Sequence, residues 1–365
     1  MKKILALILS LILALSLLVA CGSSDGGASG DRSGADYGGD SGTSTPSETP
    51  TIAEDEEFVI GCAFAGVDLG FFSTVWDGVL DEANAIGNVE LILLVAENDA
   101  NKQNDQIRSL IAQEVDAIII VPVDGSVVVS AVIDAQAAGI PVVMANRPLQ
   151  SDEVVAEISV LSDNYAMAYN QMVWLAEDAR KTGDEYNILL LIGGLADENA
   201  VLRRDGHYKA IEENSDVLTL VVDVPTNWQS EMALQGVQNS MQAYDNINCI
   251  VTPADGFTVP IQSALEQINK WVPRGEPGHI TIVSFDGDSR AMERWDGGFL
   301  TCTAVQDAYG QGRNVVAYAV RLAQGETFTG NEVVMDAGFV LTYVNYDEMH
   351  EKVWGWAVYQ SLKDA

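Results

Sequence analysis

From Phe58 onward the chain alternates short apolar runs with amphipathic stretches, and several of the runs are apolar at every position. Ala117-Ile118-Ile119-Ile120-Val121 is the clearest case. A strand with one solvated face alternates in polarity, whereas one that is apolar throughout must be covered on both faces. Strands of that kind separated by helical stretches specify parallel α/β sheets with helices on either side. The strand candidates are Phe58–Ala65, Glu90–Val95, Ala117–Val121, Pro141–Met144, Val155–Val160, Asn187–Ile192, Leu218–Val222, Cys249–Thr252, His279–Phe285, Phe299–Val305 and Phe339–Tyr343. Helical stretches fall near 73–86, 102–114, 126–138, 164–181, 199–214, 229–244, 257–270 and 307–324.

That series holds about twice the units of one such sheet, and its second half begins near Asp163. The expected fold class is therefore α/β, with two doubly wound parallel-sheet lobes joined by a multi-strand hinge. A length of 365 residues agrees with about two domains. The N-terminal lobe is read as 57–162 plus 307–330, and the C-terminal lobe as 163–306 plus 331–365. The chain is expected to cross between lobes near Leu161–Asp163, near Gly287 or Gln306, and near Thr329–Val334.

The first twenty residues follow other rules. Lys2-Lys3 precedes a nearly unbroken apolar run from Ile4 to Ala20, and then comes Cys21. A basic start, an apolar stretch at the short limit for spanning a bilayer, and small residues before a cut describe a secretory signal over 1–20. Residues 21–56, rich in Gly, Ser and Asp without apolar periodicity, read as a flexible tether. Leu18-Val19-Ala20-Cys21 resembles the bacterial lipobox. That resemblance implies cleavage before Cys21, a diacylglycerol anchor on its thiol, and attachment to the extracytoplasmic face of the cell membrane; two acyl chains suffice for stable attachment. Cys62, Cys249 and Cys302 sit in apolar strand-like runs and read as buried free thiols.

Composition removes several function classes. Nineteen Lys and Arg face 53 Asp and Glu, a formal charge of −34. Such a surface opposes binding to nucleic acid or to anionic lipid by charge. Three scattered His and no His/Cys cluster offer neither a zinc site nor a triad. The chain has no Gly-x-Ser-x-Gly elbow, no P-loop and no complete dinucleotide fingerprint.

In open α/β sheets ligands bind beyond the carboxyl ends of the strands. The residues there are Asp68, Phe71 and Phe72 after the first strand, Asn146 and Arg147 after the fourth, and Asn164 at the start of the second half. Arg203, Trp228, Asp255, Asp286 and Gln306 follow. Carboxylates, amides and guanidinium groups meet hydroxyls, and aromatic faces pack on the C–H faces of a ring, so the set fits a polyhydroxylated ligand. Each member also has a plainer role open to it: one of Phe71 and Phe72 as core, Asp255 as a helix cap, one of Arg203 and Arg204 as a solvated position.

These landmarks, in order and spacing, resemble the periplasmic sugar-binding proteins of ABC importers, the ribose and glucose/galactose group. The resemblance runs over nearly all of 57–345. It is carried by Phe71-Phe72, Lys102-Gln103-Asn104-Asp105-Gln106-Ile107, Gly139-Ile140-Pro141-Val142-Val143 before Asn146-Arg147, Ser162-Asp163-Asn164, Arg203 before Gly206, Trp228, Asp255, Phe285-Asp286-Gly287 and Gln306. It implies that Phe72 and Trp228 sandwich a sugar ring with Phe71 assisting. Asn146, Arg147 and Arg203 would bind hydroxyls and the ring oxygen, and Asp286 and Gln306 would do so near the crossings. Asn164 and Asp255 would stand at the cleft edge, with Asp68 beside Leu69, where the family often has a polar contact. Ribose binders carry Asp-Arg at Asn146-Arg147, and Ala254 replaces a common ligand Asn, so the sugar stays open. The implied protein is a monomeric receptor without cofactor or metal that closes on a monosaccharide and delivers it to a membrane permease. A receptor feeding a sensor kinase or chemotaxis system, and an extracellular carbohydrate-active enzyme, are the alternatives.

Overall fold

The computed structural model describes residues 49–53, 56–67 and 70–364. The signal segment, Cys21, most of the tether and Asp68 lie outside the described residues. The elements in chain order begin with β1 (Phe58–Phe64), α1 (Phe71–Ile86), β2 (Val89–Val95), α2 (Ala100–Ala112), β3 (Ala117–Val121), α3 (Val129–Ala137), β4 (Val142–Ala145) and β5 (Ile158–Ser162). Next are α4 (Asn164–Thr182), β6 (Tyr186–Ile192), α5 (Glu198–Glu213), β7 (Leu218–Pro225), α6 (Ser230–Ala243), β8 (Cys249–Val251), α7 (Thr258–Gln267), β9 (Thr281–Asp286), α8 (Ser289–Asp296) and β10 (Cys302–Val305). The chain closes with α9 (Ala308–Ala323), β11 (Glu332–Asp336), β12 (Phe339–Thr342), α10 (Tyr346–Met349) and α11 (Trp354–Asp364).

The strands form two six-stranded sheets, ordered β11-β5-β4-β3-β1-β2 and β12-β10-β9-β8-β6-β7. All pairings in the first are parallel, and in the second only β10–β12 is antiparallel. Every residue of β3 is buried, as its uniform polarity requires. One face of the first sheet packs on α1 and α9 through Val75, Val79, Val315 and Val316, the other on α2 and α3 through Ile107, Leu110 and Val132. The second sheet packs on α4 and α5 through Leu175 and Ile211, and on α6, α7 and α8 through Val237, Ile261 and Met292. Each fully buried Ile, Leu or Val contributes about 1.5–3 kcal/mol, so these layers carry both sheets. Cys62, Cys249 and Cys302 are buried free thiols, and burial pushes all three up in pKa.

Three boundaries differ from the sequence reading. Glu332–Asp336, assigned with 331–365 to the C-terminal lobe, pairs with β5 in the N-terminal sheet. The third crossing is therefore the turn between Asp336 and Phe339, not Thr329–Val334. β11 is a half-exposed edge strand with charged ends, so it carries none of the apolar continuity that marks a central strand. The tether also ends before 56: Ile52 packs against the N-terminal core, and Gln324 Nε2 donates to Thr51 O at 2.9 Å. The short helices α8, α10 and α11 had no counterpart in the reading.

The other crossings run from β5 to α4 and from β10 to α9. Asp336 ties all three together. Its Oδ2 accepts from Ser162 Oγ at 3.2 Å and from Asp307 N at 2.7 Å, its Oδ1 accepts from Gly338 N at 2.9 Å, and its carbonyl accepts from Asp163 N at 2.9 Å.

Candidate functional site

The carboxyl ends of the two sheets face one cavity of about 670 Å³. From the N-terminal lobe its wall takes Phe71 and Phe72 at the start of α1, Asn98 after β2, Val123 and Asp124 after β3, and Asn146 and Arg147 after β4. From the other lobe come Asp197 and Asn199 after β6, Arg203 on α5, Asn227 and Trp228 after β7, Asp286 at the end of β9, Arg290 on α8, and Gln306 after β10.

The aromatic plates are held in place by their surroundings. Phe71 and Phe72 meet edge to face at 5.8 Å, and Phe71 abuts Trp354 in the same way. The Arg147 guanidinium lies 5.5 Å from the Phe72 centroid. Opposite them, Trp228 stacks on Phe257 and donates from Nε1 to Asp197 Oδ2 at 3.1 Å. The indole rests on Gly193 and Gly194; a Cβ at Gly193 would stand 2.4 Å from its Cζ2. Asn227 and Trp228 both take the left-handed backbone region, a strained turn that aims the ring into the cavity.

Each Arg on the wall meets an Asp, while Asp124 accepts from Ser126 and from the Val127 N–H. Arg147 Nη2 reaches across the cleft to Asp197 Oδ2 at 2.9 Å, and its Nη1 donates to Pro122 O at 2.8 Å. Arg203 is buried over the Phe285 ring; its Nη1 donates to Pro253 O at 2.6 Å and lies 3.2 Å from Asp286 Oδ1. Arg290 Nε donates to Asp288 Oδ2 at 2.7 Å, and its guanidinium lies against Gly70 of the facing lobe. Burial pushes the Asp286 carboxyl up to about 6, against the opposing pull of Arg203. Burial also lowers the Arg203 pKa. Gln306 Nε2 donates to Asp286 Oδ1 at 2.7 Å, while the buried Gln306 Oε1 has no partner among the described residues. Arg147 Nε is likewise buried without one. An acceptor and a donor left open on the wall, between pairs that cancel in charge, suit an uncharged ligand carrying several hydroxyls.

Phe71, Phe72, Asn146, Arg147, Arg203, Trp228, Asp286 and Gln306 are thus brought together as the sequence reading expected. Two residues are not. Asn164, expected at the cleft edge, is buried behind Arg203: its Oδ1 accepts from Arg203 Nε at 2.7 Å and its Nδ2 donates to Ser162 O at 3.1 Å. Asp255, expected beside it, is 0% exposed. Its Oδ1 accepts from the Ser284 hydroxyl and from Thr303 Oγ1 at 3.1 Å, and its Oδ2 from the backbone N–H groups of Gly287 at 2.6 Å and Asp288 at 2.8 Å. Every lone-pair direction is taken, so it props the turn that carries Asp286 and caps no helix. Burial and the nearby Asp288 and Asp286 charges hold its carboxyl well above the usual range.

Asn98, Asp124, Asp197, Asn199, Asn227 and Arg290 were missed. The strand-end rule that found the others reaches Asn98, Asp124 and Asn227, which directly follow β2, β3 and β7. Trp354 was missed as well; its Nε1 donates to Asp286 O at 3.0 Å. No signal in the sequence joins it to a site 68 residues earlier.

Two sheets whose carboxyl edges enclose one polar, aromatic-walled cavity define a two-lobed binding protein. Residues 60–327 match the family model described as periplasmic binding protein domain, and the chain belongs to that family, one of substrate-binding proteins. It is similar to the D-apiose import binding protein of Actinobacillus succinogenes, 26% identical over 271 residues, covering 74% of this chain and 83% of the relative. It is 28% identical to the ribose import binding protein of Bacillus subtilis over 251 residues, covering 69% and 77%. Among solved structures it resembles an ABC transporter solute binding protein from Bacillus halodurans with bound myo-inositol, with a TM-score of 0.72 and 29% identity, covering 82% of this chain and 100% of that one.

Proposed function

We propose that this protein is an extracytoplasmic receptor that captures one monosaccharide or closely related polyol between its lobes and passes it unchanged to an ABC importer. The carrying observation is the placement of Phe72 and Trp228 on opposite walls of a cavity whose three Arg side chains each pair with an Asp: Arg147 with Asp197, Arg203 with Asp286 and Arg290 with Asp288. Flat rings take the apolar faces of a saccharide, and fixed donors and acceptors take its rim. The relatives named for import of D-apiose and ribose, and the structure holding myo-inositol, support this class. Their differing ligands leave the particular one to experiment. Cys21, cleaved and acylated, would hold the receptor to the membrane by the segment that follows it.

A thermal-shift panel of D-apiose, D-ribose, D-allose, D-xylose, xylitol and myo-inositol tests the reading. A ligand at 100-fold its Kd adds about 2.7 kcal/mol of stability, enough to raise the midpoint by several degrees. Binding of at least one panel member with no product formed is the expected result. No shift with any of them overturns the reading.

A further inference from the structure

We propose that Gln150 and Glu198 form a clasp at the rim of the cavity, one that draws the lobes together without touching the ligand. Gln150 lies beyond β4, where its backbone N–H donates to Gly125 O at 3.1 Å and so binds two loops of the N-terminal lobe together. Its Nε2 donates to Glu198 Oε2 at 3.1 Å. Glu198 is the first residue of α5 in the other lobe. Neither side chain lines the cavity.

The clasp is the outermost of three contacts between the same two segments. Inside it, Asn199 Nδ2 donates to Asn146 O at 3.1 Å and to Asn146 Oδ1 at 3.2 Å, and Arg147 meets Asp197. The inner two belong to the cavity wall and face the ligand; the outer one is separate from it. A contact that exists only when the lobes are apposed favours the closed form whatever is inside. Apparent affinity scales with the fraction of protein in the binding-competent form. An amide donating to a carboxylate is a charge-assisted bond, the stronger kind. Gln150 and Glu198 are therefore positioning residues: they set how tightly a ligand is held, while the wall sets which ligand it is. This rests on the capture reading only for its affinity arm.

Three variants of the full chain test it. Gln150→Glu puts two carboxylates in apposition, Gln150→Lys replaces the hydrogen bond with an ion pair, and Gln150→Glu combined with Glu198→Gln rebuilds the same bond in reverse. Small-angle scattering without sugar is expected to give a larger radius of gyration for Gln150→Glu and the parental value for the exchanged pair. Calorimetry with D-ribose, D-allose and myo-inositol is expected to show about fivefold weaker binding in Gln150→Glu. Recovery is expected in the exchanged pair, tighter and salt-sensitive binding in Gln150→Lys, and an unchanged rank order of sugars in all three. Identical scattering for parent and Gln150→Glu, or failure of the exchanged pair to recover, overturns the clasp. A panel in which nothing binds the parent overturns the sugar-capture reading and leaves the scattering arm to judge the clasp.

Discussion

Arg147 of the N-terminal lobe and Asp197 of the C-terminal lobe are joined at 2.9 Å across the cavity, and the same Asp197 oxygen takes the indole N–H of Trp228. One carboxylate therefore links the cation beside Phe72 to the opposite aromatic plate. Removing it leaves a largely buried guanidinium and an indole N–H without their acceptor. Asp197→Ala is expected to weaken binding by at least tenfold, since truncating one member of a desolvated charge pair costs about 2–5 kcal/mol. Calorimetry with the sugar found by thermal shift measures it, and parental affinity in the variant would refute the link.

Gly193 and Gly194 give Trp228 its seat. A Cβ at Gly193 would fall 2.4–2.7 Å from three atoms of the indole, so Gly193→Ala must push the ring toward the cavity. The expected outcome is a folded protein with an altered near-ultraviolet circular dichroism spectrum and binding at least tenfold weaker, as overpacking costs about 1–3 kcal/mol and falls here on the plate itself. An unchanged spectrum would show that the slot has room.

Asp255 predicts a different pattern. It accepts four hydrogen bonds at 0% exposure and holds the turn at Gly287 and Asp288. Asp255→Ala leaves buried donors unsatisfied and is expected to lower stability by about 2–5 kcal/mol in denaturant titration. A ligand contact at the cleft edge would instead cost affinity and spare stability.

What could be read from the sequence, and what could not, follows from where the information is local. The two sheets were legible because β3, β4, β6 and β8 are short apolar runs between turn residues, and most of the eight wall residues were legible because they lie at or just beyond the carboxyl end of a strand. β11 was not, since an edge strand needs only one apolar side and Glu332–Asp336 begins and ends on a charge. Asn164 and Asp255 were placed at the ligand because their types and positions fit; only the fold reveals that Arg203 and the Asp286 turn already occupy them. Trp354 reaches the site from the far end of the chain, and no local pattern encodes that contact.

The buried His207 sets a pH dependence. It sits beside Gln171 at 2.7 Å, and burial, reinforced by the Arg203 charge, pushes its pKa down from 6.5 to about 3. Between those values the unfolded chain binds a proton that the folded chain refuses. Its contribution is thus present above pH 6.5 and lost as pH falls toward 3. Asp286, raised from 3.8 to about 6, has the opposite sign: folding is favoured by its proton below about 4, and that advantage is lost as pH rises through 6. Stability curves of the parent and His207→Gln are expected to diverge as pH falls below 6.5, with the variant losing less. The limiting difference in slope is about 1.4 kcal/mol per pH unit. Parallel curves would mean that the imidazole takes up its proton in the folded chain as readily as in the unfolded one.

Asp336 makes the last prediction, about motion. Its side chain and carbonyl hold residues from all three crossings: Ser162 and Asp163, Asp307, and Gly338. A hinge of three strands can bend as a unit only if the strands share a pivot, and this carboxylate is their common acceptor. Asp336→Ala removes three hydrogen bonds to a carboxylate, at about 1.5–3 kcal/mol each. Both lobes keep their cores, so the expected effect is local: faster amide exchange at Asp307 and Gly338, little change in the centres of β3 and β8, and a ligand off-rate several-fold higher. Exchange coupled to mass spectrometry reads the first two and stopped-flow fluorescence of the tryptophans reads the third. If exchange at the crossings stayed at the parental rate, the pivot would have to lie in the packing of α4 and α9 beneath them.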